Sequence, residues 1–350
     1  MSVSGSKSSG QKIWIAASED DWSDNIIHLV LAKVPGGPDG VKGISVFIVP
    51  KFMVHEDGSL GERNALSCGG LEEKMGIHGN ATCVMNYDGA TGYLIGEMHK
   101  GMRAMFTMMN NARLGVATQG IGVAEAAYQH ALAYAMDRKQ GKAGGTGTIA
   151  EHADVRRMLA SMKADIFTAR AISLANAVAI DMSNATGNAG WKARAALLTP
   201  ISKAFGTDIG VEITSTGIQT HGGMGFIEET GAAQYARDVR VTTIYEGTNG
   251  IQAMDLVARK MMDGGDAAFA LLDEIEAAAE AAKAAMPDLA EPVWQAAETL
   301  RETTEWLVTQ DMNDRFAGAV PYLRCLLHLS DLPDHLLLLH HSGLPITSQA

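Results

Sequence analysis

The sequence predicts an α+β chain that is mostly α. A partial antiparallel β domain over residues 11–98 is followed by a four-helix bundle over 99–263 and a C-terminal helical extension over 264–328. Two observations carry that expectation. Short apolar runs punctuated by Gly, Pro and Asp clusters fill the first part of the chain. From Gly101 the apolar spacing changes to a helical period, with no proline before Arg138.

Residues 1–10, MSVSGSKSSG, are Ser/Gly-rich and predict a flexible leader outside the fold. The runs KIWIA, IIHLVLAKV, GISVFIVP, ATCVMNYDG and TGYLIG then read as five or six strands, with PGGPDG and EDGSLG as turns. Lys12 opens this region without an earlier partner strand, so the β unit is expected to be incomplete. The helix from Gly101 to Arg138 is expected to run about 50 Å and to turn Met105, Met108, Met109, Ala112, Val116 and Ile121 inward. KAGGTGT interrupts it. Helical spacing resumes over 152–182, 191–216 and 249–262, the last burying Ile251, Met254, Ala258 and Met261 before a stop at Gly264 and Gly265. Residues 266–328 are Ala/Glu/Leu-rich and read as a further helical pair. The stretch 329–350, with His335, His340 and His341, has no helical period and is expected to form an irregular tail off the packed core.

At 350 residues the chain has room for two or three domains. Lys and Arg number 28 against 40 Asp and Glu, a net charge of -12, which repels a phosphate backbone and argues against nucleic acid as a partner. Three cysteines without a C-x-x-C pair read as thiols in a reducing compartment, with no metal site. No run of 18 apolar residues appears, so a cytoplasmic protein without membrane insertion is expected.

Several apparent signatures fail on spacing. The segment around Lys142 lacks the first glycine of a phosphate loop and follows a helix instead of a strand. GIGVAE (120–125) and GGMGF (222–226) do not complete G-x-G-x-x-G within a βαβ unit. Gly222, Gly223 and Gly225, however, follow a helix bearing Thr214, Ser215 and Gln219. Glycines there let backbone amides approach an anionic group such as a pyrophosphate, whereas a plain helix C-cap needs only one of the three.

TTIYEGTNGIQ (242–252) offers a similar choice. Thr248 or Asn249 caps the helix that follows, with Gln252 placed for a capping box, and Glu246 before such a start gains modestly from the helix dipole. Alternatively, Ile244 and Tyr245 draw Glu246 into apolar surroundings, which raises a carboxylate pKa toward that of a general base. Both readings use the same residues.

NNARLGV (110–116), HGGMGF, YARDVRVTTIYEGTNGIQ and the QKIWI strand with KGISVFIVP together resemble the acyl-CoA dehydrogenase flavoenzymes. The likeness is greatest to the large subgroup that includes 3-methylmercaptopropionyl-CoA dehydrogenase, and it covers about residues 11–325. It implies an FAD-dependent α,β-dehydrogenation of an acyl-CoA thioester to a trans-2-enoyl-CoA on an acyl-CoA dehydrogenase-type bundle. Electrons would pass to an electron-transfer flavoprotein, and 3-methylmercaptopropionyl-CoA is the implied substrate of the subgroup. Glu246 falls on the family's catalytic base, whose own backbone N–H supplies half of the oxyanion hole. Arg138 matches the arginine at the FAD pyrophosphate. Gln219, Gly222 and Gly223 match the loop that meets the FAD of a neighbouring subunit, which implies a homo-oligomer. Thr248 matches a further cofactor contact, Trp14 a tryptophan beside the flavin ring, and Asn110 and Arg113 the substrate-side helix.

Three departures accompany the resemblance. Ala16 stands where many relatives have a flavin-bonding threonine, and KQGK replaces the loop phenylalanine after Arg138. The family's N-terminal helical domain and upstream strands have no counterpart in this sequence. A truncated enzyme is therefore expected. A reading of another class is a catalytically inactive helical fragment, or an oligomeric interaction module, that binds no flavin.

Overall fold

The computed structural model describes residues 5–141 and 145–328, with side chains described to Arg324. The expected tail at 329–350, the first three residues of KAGGTGT, and residues 1–4 of the leader lie outside the described residues. Contacts divide the chain into two compact units, Met1–Asn111 and Ala112–Ala350. The α+β, mostly helical class holds, with seven strands and eight α-helices among the described residues.

The first unit holds β1 (Ser6–Ala16), β2 (Ile27–Lys33), β3 (Ile44–Pro50), β4 (Phe52–Val54), β5 (Leu60–Arg63), β6 (Leu66–Leu71) and β7 (Thr82–Ile95). All pairings are antiparallel. The main sheet runs β1-β7-β3-β2, β6 also pairs with β7, and β4 and β5 form a separate ribbon. β7 is the spine of this unit, because its first part pairs with β1 and β6 and its last residues pair with β3.

Two expectations are corrected here. The leader is a strand from Ser6: Ser6, Lys7 and Ser8 pair with Gly92, Thr91 and Ala90, Lys7 Nζ donates to Thr91 Oγ1 at 2.9 Å, and Gly89 N–H donates to Ser9 Oγ at 3.0 Å. A strand held by its backbone ladder and lying mostly open to solvent carries no apolar period for a sequence to reveal. The runs ATCVMNYDG and TGYLIG are one strand rather than two. Their apparent turn is a β-bulge at Gly89 (φ +81°), where Ser8 and Ser9 of β1 pair with Ala90 and Asp88 and skip a residue. The bulge shifts which alternate residues are buried, from Cys83, Met85 and Tyr87 before it to Ala90 and Gly92 after it. Without that extra residue the later half of β7 would turn its apolar side outward.

The helices are α1 (Gly101–Asp137), α2 (Ala153–Thr186), α3 (Ala189–His221), α4 (Ala232–Val239), α5 (Asn249–Arg259), α6 (Asp266–Ala282), α7 (Pro287–Thr309) and α8 (Met312–His328). The α2–α3 break has its local cause in TGN: Gly187 adopts φ +66° as the helix stop, and Asn188 Oδ1 accepts from Gly190 N and Trp191 N. The second unit has one apolar cluster, which runs from Ile121, Leu159, Met162, Ile201 and Phe205 through Leu256 to Leu272, Leu300 and Leu323. The extension is thus three helices sharing the bundle's core, where a further pair packed on the bundle was expected.

Inward faces also differ in detail. Met108 is exposed, as are Ile251 and Met254, while Gln252, Ala253, Asp255, Leu256 and Val257 are buried. The polar pair Gln252 and Asp255 faces inward because each is bonded there, Gln252 to the carbonyls of the preceding turn and Asp255 to buried Arg113, which an apolar-period reading of α5 does not register. Among the described residues no helix is long and apolar enough to cross a membrane.

α1 and α3 approach backbone to backbone. A Cβ on Gly120 would lie 2.4 Å from Gly206 O, and one on Gly210 would lie 3.0 Å from Gly120 O. Gly122, two residues along, faces open space. Gly120→Ala is therefore expected to lose about 2 kcal/mol in urea unfolding through overpacking. Gly122→Ala should gain up to about 1 kcal/mol from helix propensity. Equal effects of the two substitutions would refute the close crossing.

Candidate active site

The chain enters the site through α4 and a 3-10 turn, Arg240–Thr243, which buries Thr242 and leaves Ile244 and Tyr245 exposed. These two side chains therefore do not draw Glu246 inward as expected. The turn directs Thr242 to the core instead, and the Tyr245 hydroxyl donates to Gln119 Oε1. Glu246 is half-buried and has φ +55°, followed by Gly247 at φ +82°. A non-glycine residue in the left-handed region carries backbone strain that neighbouring contacts must hold.

Those contacts come from α5. Thr248 is the N-cap, its Oγ1 accepting from Ile251 N at 3.3 Å. Gln252 falls one position beyond the capping-box place, so that expectation is corrected: its buried Nε2 donates to Glu246 O at 3.1 Å and Gly247 O at 3.2 Å. A Cβ on Gly247 would sit 3.0 Å from that nitrogen, so Gly247 is required both by its φ and by the clamp. The Glu246 backbone N–H has no hydrogen-bond acceptor among the described residues. It is available as a donor to something outside the protein.

Beneath the turn lies a buried polar network on α3. Lys203 is 0% exposed, and its Nζ donates to Asn249 Oδ1 at 2.9 Å. Asn249 Nδ2 donates in turn to Asp208 Oδ1 at 2.7 Å and Thr207 Oγ1 at 3.0 Å. Burial pushes the Lys203 ammonium down to about 8, against the pull of Asp208 and Glu246. Burial also raises the Asp208 carboxyl, with Asn249 and three cations opposing.

A second polar contact ties α1 to α5. Arg113, 2% exposed, donates from one terminal nitrogen to buried Asp255 Oδ2 at 2.8 Å, and Arg259 Nε lies 2.6 Å from Asp255 Oδ1. The resemblance puts Arg113 on the substrate side. In this chain its guanidinium is engaged by Asp255, because a charge enclosed this fully requires a counter-charge.

At the far end of α3, Gln219, Gly222 and Gly223 are exposed. Gly222 adopts φ +59°, and no atom comes within 4 Å of a Cβ placed on Gly222 or Gly223. Gly225 differs, since its Cβ would meet Ile218 O at 2.3 Å. Two of the three glycines are open to a ligand and the third is demanded by packing. Below them His221 Nδ1 bonds Gly217 O at 2.7 Å, and the ring stacks with Tyr134 and meets His130 edge-on. Arg138, at the end of α1, is exposed, and its side chain has no partner among the described residues.

Trp14 and Asn110 belong to the first unit. Trp14 is 72% exposed with φ +60°, at the irregularity between Lys12 and Ile15 where β1 slips against β7. Asn110 is exposed on the first part of α1. Sequence reasoning missed Lys203, Asp208, Gln252's clamp and Asp255. The available signal was a lysine inside the apolar run ALLTPISKAFG, which a solvated face would not produce.

The bundle carries a strained carboxylate turn just before a helix start, and comparisons with known proteins assign its domain. Residues 99–262 match the family model described as acyl-CoA dehydrogenase, C-terminal domain, and through this domain the chain belongs to the acyl-CoA dehydrogenase family. It is 45% identical over 330 residues to 3-methylmercaptopropionyl-CoA dehydrogenase of Ruegeria pomeroyi, covering 90% of this chain and 56% of that protein. It is 40% identical over 271 residues to a butyryl-CoA dehydrogenase of Syntrophomonas wolfei, covering 73% and 44%. Among solved structures, Caenorhabditis elegans ACDH-11 in complex with C11-CoA shares the fold at a TM-score of 0.74 and 20% identity, covering 98% of this chain and 60% of that one. The chain spans about half the length of the curated relatives it matches.

Lys203 makes a pH-dependent contribution to stability. Its folded value, about 8, lies below the ordinary 10.5, so the unfolded chain binds more protons between those values and stability rises with pH across that window. Lys203→Met removes the titration. The stability of that variant relative to wild type is expected to be greatest below pH 8 and to fall by about 3 kcal/mol as pH rises to 10.5. Urea unfolding at several pH values measures it, and a pH-independent difference would refute the buried ammonium.

Proposed function

We propose that this chain carries the base-bearing part of an FAD-dependent acyl-CoA dehydrogenase, with Glu246 as the general base. The observation that carries this reading is the Glu246 turn, strained at φ +55° and clamped by Gln252 so that both a carboxylate and a free backbone N–H are presented together. The carboxylate would remove the α-proton of an acyl-CoA thioester. The backbone N–H would donate to the thioester oxygen, where negative charge develops as that proton leaves.

Bound FAD would accept the β-hydride, so that a trans-2-enoyl-CoA remains and the proton rests on Glu246. Several residues fit that cofactor. The open backbone at Gly222 and Gly223 admits a bulky group, and exposed Arg138, whose side chain has no partner among the described residues, offers its fork to a pyrophosphate. Gln219 is exposed beside those glycines. Thr248 already caps α5 through its Oγ1 and retains further acceptor and donor capacity for a cofactor. Exposed Trp14 offers a ring face to the flavin, and Asn110 an amide to the acyl-CoA. Arg113 serves the substrate side indirectly, by seating α5 through Asp255.

The identity to the Ruegeria pomeroyi protein favours 3-methylmercaptopropionyl-CoA as substrate, and an electron-transfer flavoprotein would take the two electrons onward. We place the protein in the cytoplasm. A homo-oligomer is supported by α2, where Phe167, Leu174 and Val178 form an exposed apolar row at helical spacing.

Glu246→Gln is expected to retain FAD and acyl-CoA binding while substrate no longer bleaches the flavin absorbance. Unchanged bleaching would remove Glu246 from the role of base, and a colourless wild-type protein that takes up no added FAD would favour the interaction-module reading. Phe167→Glu is expected to lower the oligomeric mass in analytical ultracentrifugation while leaving the far-ultraviolet circular dichroism unchanged; an unaltered mass would exclude this face of α2 from the interface.

A further inference from the structure

We propose that α2 and α3 enclose a binding site for one ordered water, held by Asn176, Ser173 and Ser202 and acting as an internal structural ligand of the bundle. The site is independent of the reading of Glu246 as a base.

Asn176 and Thr199 lie eleven positions either side of the Gly187–Asn188 connection, and Ser173 and Ser202 lie fourteen positions either side of it. Helices joined by so short a turn run antiparallel, so residues at equal distances from the turn stand opposite each other. The side chains agree: Thr199 Oγ1 reaches across to Asn176 Oδ1 at 3.5 Å. All four residues are enclosed, with exposures of 8% for Ser173, 0% for Asn176, 6% for Thr199 and 1% for Ser202. They make a polar layer beside the apolar cluster to which Ile166 and Ala169 of α2 and Ile201 and Phe205 of α3 belong.

Three atoms of this layer have no hydrogen-bond partner among the described residues: Ser173 Oγ, Asn176 Nδ2 and Ser202 Oγ. Buried polar groups forfeit the bonds they make in water unless something in the fold replaces them. The serines differ from their neighbours. Thr199, Thr207, Thr214, Thr216 and Thr220 of α3 each turn the hydroxyl back onto the carbonyl four residues earlier, at 2.7 to 2.9 Å. Ser173 and Ser202 make no such bond, so their hydroxyls are directed away from their own helix carbonyls. Pro200 stands at the same level and has no N–H to give the Ala196 carbonyl, which leaves a further acceptor there.

Water suits this set because one molecule both donates and accepts. It can take an N–H from Asn176 and an O–H from one serine while giving an O–H to the other serine, and three bonds are typical of a buried water. None of the four side chains is charged, so an ion would enter the layer without compensation. A neutral ligand of one oxygen does not meet that cost. The water would then join α2 to α3 through hydrogen bonds that neither helix makes to the other directly.

The test is a count of long-lived waters on the whole chain by magnetic relaxation dispersion of the water signal. Ser173→Ala combined with Ser202→Ala is expected to lower the dispersion amplitude by the equivalent of one water, with the far-ultraviolet circular dichroism unchanged. Ser215→Ala, at an exposed position of α3, should leave the amplitude as in wild type. A crystal structure of the wild-type chain reads the same site directly, with one water expected about 3 Å from Asn176 Nδ2 and from both serine oxygens. An unchanged amplitude in the double variant overturns the proposal, and so does a crystal structure in which Ser173 and Ser202 bond each other with no water between them. Since the second reading uses the wild type, it remains decisive even where the double variant fails to fold.

Discussion

The base-bearing turn depends on how α5 is seated on α3, and the Asn249 amide does the seating. It sits at the start of α5 and reaches Lys203, Ala204, Thr207 and Asp208 on α3. Four partners on one side chain fix the first turn of α5 in position and rotation. Thr248 then caps the helix and Gln252 reaches back to two carbonyls, so Glu246 is held in a conformation it would not adopt alone. The Arg113–Asp255 pair acts further along α5 and ties it to α1.

These contacts are polar and buried, beside a large apolar cluster in the same unit. Such networks add little to net stability, since each charge must be stripped of water before it is paired. What they supply is uniqueness of arrangement: an apolar face tolerates small rotations of α5, whereas Asn249 and Asp255 tolerate none without leaving a buried group unpaired. For a proton-transfer site the rotation of α5 matters, because it sets where the Glu246 carboxylate and N–H point.

The small-residue crossing of α1 and α3 works in the same direction by steric means. Gly120, Gly206 and Gly210 let the two backbones meet with no side chain between them. Arg113 stands about two turns before that crossing and Lys203 about one turn before it, so the close approach places both buried cations near α5.

Much of this was legible in the residues. The helical period, a helix start at Thr248 or Asn249, and the Tyr-Glu-Gly-Thr-Asn-Gly turn are local features, set by short-range sterics and hydrogen bonds between residues a few positions apart. The strand Ser6–Ala16, the bulge that makes β7 continuous at Gly89, the inward rotation of Gln252 and Asp255, and the burial of Lys203 were decided by tertiary structure. Each depends on a partner far away in the chain, or on a backbone ladder that leaves no mark in side-chain pattern. The sequence by itself determined where a carboxylate could stand before a helix; only the packing of α5 on α3 and α1 decided which groups lie behind it, because burial and counter-charge are properties of the assembled core.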